Sequence, residues 1–139
     1  MRLLSIIVFT VVLISNTFGQ TTPTTQVKLI SDLVALRIPT INNRLSALVT
    51  GRLTENDGGG GVFYYDGASA VSTNLGTVFK PAASAGRWVR QYSGALKANW
   101  FGQSSAAADI NQAIATLPAS GGIVDATFYT SSQSIDALV

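Results

Sequence analysis

The chain has 139 residues, with nine basic and seven acidic side chains, no cysteine and no histidine. Lacking those two residue types, it holds no disulfide, no Ser-His-Asp or Cys-His nucleophile and no His/Cys zinc site. Packing must therefore stabilise it, and the net charge of +2 gives little to attract nucleic acid or an anionic membrane.

Residues 1–19 read as a secretory signal: Arg2, then the apolar run Leu3 to Ile14, then Thr17-Phe18-Gly19 before a cut ahead of Gln20. The run is too short for a membrane span of roughly 20 residues. The expected product is secreted, has no membrane attachment after cleavage, and carries eight basic against seven acidic residues. Residues 20–27, Thr-rich and broken by Pro23, read as a flexible segment.

Over residues 29–39 a short helix is expected, with Ser31 as N-cap, Asp32 in the first turn and Pro39 as its end. From Leu45 the pattern turns to β: strands are expected over 45–53, 61–66, 76–81 and 87–92, and a further extended segment over 95–102. In the 87–92 strand Trp88, Arg90 and Tyr92 share one face. Ala107, Ile110, Ile114 and Leu117 then form one helical stripe, with Ser105 as N-cap and Pro118 as stop. Gly121-Gly122 turns the chain into a strand beginning at Ile123, and QSIDALV (133–139) reads as another.

The segment ENDGGGGVFYYDG (55–67) could in principle hold a phosphate, hold a metal or turn the chain. No Lys follows the glycines, and a strand rather than a helix comes next, so it is not a P-loop. The G-x-G-x-x-G spacing fails at Phe63. An EF-hand loop would need oxygen ligands where Leu53 and Tyr64 stand. Asn, Asp and Gly in this order instead predict a turn between two strands.

Taken together, NDGGGGVFYYDGASA, LGTVFKP, AGRWVRQYSG, NWFG and LPASGG (119–122 closing it) resemble the N-terminal region of pectate-lyase-superfamily, tailspike-like right-handed parallel β-helix proteins. That resemblance spans about residues 28–139. It implies a mainly β fold: a small antiparallel β head over 28–102, then over 103–139 a capping α-helix and the first strands of a parallel β-helix. The acidic A-K-G-D-G-x-x-D-D segment usual after WFG is missing here, where only Asp109 remains.

By the same resemblance the protein binds or degrades extracellular polysaccharide, and these residues supply export, head and solenoid cap rather than catalysis. No catalytic, cofactor or metal residue is assigned within them, although calcium could serve the complete protein. Tyr64, Trp88 and Tyr92 are the candidate carbohydrate contacts, and Arg87, Arg90 and Lys97 are expected as solvated charges. Partners are expected to be polysaccharide and further copies of the chain, as a homotrimer or through an exposed solenoid edge. The alternatives are a passive surface or adhesin-type solenoid and a non-enzymatic tailspike-like receptor-binding protein; a signal peptide counts against the last.

Overall fold

The computed structural model describes residues 24–38, 45–102 and 105–129. The expected signal over 1–19 and the expected strand over 133–139 lie outside these residues.

The head is one mixed sheet with a helix on its inner side. Strand β1 (Thr24–Leu29) runs parallel to β2 (Ser46–Gly51), and helix α1 (Ile30–Ala35) makes the crossover between them. β2 pairs antiparallel with β3 (Gly61–Asp66), β3 with β5 (Arg87–Gln91), and β5 with the two-residue β4 (Val78–Phe79). The strand order is β1-β2-β3-β5-β4. Two sequence expectations change here. The supposedly flexible residues 24–27 are part of β1, where their backbone pairs with β2. The head is also not wholly antiparallel, because a helical crossover returns β2 in the direction of β1.

Helix α1 begins two residues earlier than its polar residues suggest. Leu29, not Ser31, is the N-cap, and its backbone N–H donates to the Asp32 carboxylate at 3.0 Å. Asp32 thus satisfies one of the four donors a helix start leaves free. Along β2, β3 and β5 the side chains alternate between faces. Ala47, Val49, Phe63, Tyr65 and Trp88 point inward and form the core with Ile30, Leu33 and Phe79. Leu48 and Tyr64 take the outward positions.

A second unit follows. β6 (Leu96–Lys97) leads into a 3₁₀ turn (Ala98–Trp100), then α2 (Ala106–Thr116), then β7 (Val124–Asp125), which pairs parallel with β6. The segment expected to be extended over 95–102 is therefore strand for two residues only. Ser105 caps α2 as expected, its Oγ accepting from the Ala108 N–H at 3.2 Å, and the helix ends at Leu117 before Pro118. Ile110, Ala113, Ile114 and Leu117 pack with Leu96, Ala98, Trp100 and Phe101 into a separate apolar cluster. The whole is mainly β, with a small β head followed by a short helix, as the sequence leads one to expect. No helix among the described residues is long and apolar enough to cross a membrane.

Candidate functional site at the head–helix junction

The acidic-glycine segment is a turn, and Asp57 organises it. One carboxylate oxygen accepts from the N–H groups of Arg52 and Gly59 at 2.9 and 2.8 Å. The other accepts from Leu53 and Thr54 at 2.8 and 3.0 Å. Burial pushes this carboxyl's pKa up, but the four donors outweigh it and hold it down at about 2. Asn56 and Gly58 take left-handed backbone at φ 64° and 77°, a conformation that Asn and Gly adopt at low cost. Glu55 turns away to pair with Lys28 at 2.8 Å. The acids of the turn thus have partners within the chain, and among the described residues no three His, Cys, Asp or Glu converge as metal ligands.

The glycines have a second use. Arg90 donates from Nη2 to the Gly59 carbonyl at 2.8 Å, from Nη1 to the Gly60 carbonyl and from Nε to the Gly76 carbonyl at 2.9 Å. Its guanidinium lies over two rings, 4.6 Å from the Phe63 centroid and 4.4 Å from that of Trp100. Only 3 % of Arg90 is exposed. Burial, and then the nearby Arg52 charge, lower its pKa; the carbonyl dipoles and ring faces offset part of that cost.

Arg52 works beside it. Its Nη1 donates to the carbonyls of Leu75 and of Trp100, the latter at 2.7 Å. Leu75 has φ 63°, unusual for a bulky side chain. Its turn is held by Asn74, whose Oδ1 accepts from the N–H groups of Gly76, Thr77 and Val78.

Three glycines let the two units touch. A Cβ on Gly76 would fall 2.4 Å from the Phe101 ring, one on Gly102 1.7 Å from Arg52 Nε, and one on Gly58 2.9 Å from Asn99 Nδ2. Beside this contact lies a cavity of about 400 Å³, lined by Arg52, Asp57, Asn99, Ser105, Asp109 and Tyr129 with Leu53 and Phe128 at its walls. There the Tyr129 hydroxyl donates to the buried Asp109 carboxylate. Burial, that hydrogen bond and the Asp109 charge all raise the Tyr129 pKa.

The residues singled out for carbohydrate do not come together. Tyr64 is 39 % exposed on the outer face of the sheet. Tyr92 is 47 % exposed and sits edge-on to Trp100 at 5.3 Å between centroids. Trp88 is withdrawn from any ligand at 1 % exposure, because it points inward and packs tilted on Tyr65. Arg90 likewise is not the solvated charge expected of it. Sharing a face with Trp88 was the signal that it points inward. Nothing in the sequence marked Arg52, Gly76 or Gly102, whose partners across the junction and in the Leu75 turn lie 23 to 50 residues away in the chain.

Residues 26–93 match a family model described as the phage tail protein small four-stranded beta-sheet domain. The crystal structure of the tailspike protein of Acinetobacter baumannii phage AM24 superposes with a TM-score of 0.54 at 26 % identity, over 63 % of this chain and 15 % of that one. No curated protein sequence matches. This chain therefore spans a small part of the tailspike's length, and its β head is tailspike-like.

Proposed function

We propose that this chain is the N-terminal head module of a tailspike-like receptor-binding protein, which joins the head to a longer body that meets a surface polysaccharide. The match of residues 26–93 to a phage tail β domain carries this reading. The 26 % identity to a tailspike over 63 % of this chain adds to it. In this reading the complete protein is a homotrimer, and glycan recognition, with any cleavage, resides in parallel β-helix coils of the pectate-lyase type beyond the capping helix.

The test compares the complete product of the reading frame with a version lacking residues 24–102. Glycan-array binding retained by the shortened protein, with its attachment to tail particles lost, is the expected result. Loss of glycan binding with attachment intact would overturn the assignment.

A second reading is a secreted β-helix protein that binds or degrades polysaccharide outside the cell, and the signal-like order of residues 1–19 favours it. N-terminal sequencing of the natural product decides between them. A mature terminus at Gln20 supports export, whereas Met1 or Arg2 supports assembly inside the cell.

A further inference from the structure

We infer that the two arginines and three glycines of the junction lock head and helical unit into one cooperative body, so that this module is a fixed-angle coupling and not a hinge. The covalent link alone would not do this. β5 ends at Gln91 and β6 starts at Leu96, and between them Gly94, at φ 78°, has nothing within 4 Å of where a Cβ would sit. Such a connection, exposed and glycine-bearing, is how a tether is built.

The contacts across it have the opposite character. The guanidinium of Arg90 lies over the Trp100 ring of the helical unit and also over the Phe63 ring in the core of the head. The Trp100 carbonyl accepts from Arg52, which also holds the Leu75 carbonyl of the head. Phe101 presses on Gly76 where no side chain larger than hydrogen fits, and Gly102 does the same for Arg52. Each arginine thus bonds the head and touches the helical unit through one planar group, and neither contact survives a small rotation of one unit against the other. Buried polar contacts of this kind lose far more than their net worth when half broken, so the junction has two states, closed or open, and little between.

This inference uses the proposed function only for its purpose, holding a long body at a set angle to its attachment; its test does not depend on it. The chain has two tryptophans, Trp88 in the head core and Trp100 in the second cluster. Urea unfolding is followed in Trp88→Phe and in Trp100→Phe, each by its remaining tryptophan and by far-UV circular dichroism, and native-state hydrogen exchange in the unsubstituted chain compares amides of β3 and β5 with those of α2. Coincident midpoints and a shared exchange limit are expected. In Gly76→Ala and Arg52→Met the α2 amides should exchange at least about tenfold faster than those of β3, because the second unit then opens by itself. Probe midpoints that separate within either variant, together with separate exchange limits in the unsubstituted chain, would overturn the inference, as would a folded Gly76→Ala and Arg52→Met pair in which α2 and β3 stay matched. If neither variant folds, the exchange comparison in the unsubstituted chain decides alone.

Discussion

Replacing Asp57 by Asn isolates what the acid contributes to the glycine turn. The side chain keeps its size, but one of two accepting oxygens becomes an NH₂ facing the N–H groups of the turn, and the charge is lost. In the native turn four donors lie 2.8 to 3.0 Å from the carboxylate. They hold its pKa at about 2 against an ordinary 3.8. A difference near two units corresponds to about 2.5 kcal/mol of folded-state preference for the anion. The turn is partly open to solvent, which screens the interaction and leaves ~1–2 kcal/mol.

The sign follows from the depressed pKa. The stabilisation is fully present above the unfolded-state value of 3.8 and is lost as pH falls through about 2. Asp57→Asn should therefore lower stability by ~1–2 kcal/mol at neutral pH, with a melting temperature lower by roughly 5 °C per kcal/mol for a domain of this size. The gap between variant and parent should then close as the pH is brought toward 2. Urea titrations over that range measure it. A variant as stable as the parent at neutral pH, or a gap that persists undiminished in acid, would refute the assignment of the turn to its carboxylate.

Other substitutions probe other parts of the same frame. Arg90→Met keeps much of the volume but leaves the carbonyls of Gly59, Gly60 and Gly76 without their donor; a loss of about 3–5 kcal/mol by chemical denaturation is expected, and a neutral result would mean that water replaces the guanidinium. Leu75→Gly should raise stability by about 0.5–1 kcal/mol in the same assay, since the left-handed strain at φ 63° disappears while the carbonyl bonded by Arg52 stays in place. Trp88→Ala should cost about 3–5 kcal/mol, whereas Tyr64→Ala on the outer face should cost less than about 1 kcal/mol. Equal losses at the two would mean that the faces of the sheet are wrongly assigned.

Elements whose partners lie within one or two turns of chain were legible in the sequence. Helix α2 came out with its cap, its stop and most of its buried stripe because Ser105, Ile110, Ile114 and Pro118 each act locally. The β character of 46–51, 61–66 and 87–91 came from strand formers and from period-two alternation, which also separates Phe63 and Tyr65 from Tyr64. What failed depended on distant partners. Whether Thr24–Gln26 is strand is decided by β2 some twenty residues on, and no local pattern reports it. The cap of α1 was misplaced because Ser31 is the better capping residue by type, while Asp32 can reach back to any backbone N–H three residues before it.

Arg90 gives the sharper case. Local pattern placed it on the face of Trp88, and charge assigned it to solvent; these two readings conflict, and the face was the better guide. The reason is the glycine turn itself. With side chains absent at Gly59 and Gly60, the backbone carbonyls there lie close enough to replace the water that a guanidinium would otherwise keep, and Gly76 supplies a third. A glycine run read as a turn by its conformational freedom is thus also a row of bare acceptors. A cation placed on an inward face some thirty residues later in the chain was the signal that those acceptors have an occupant.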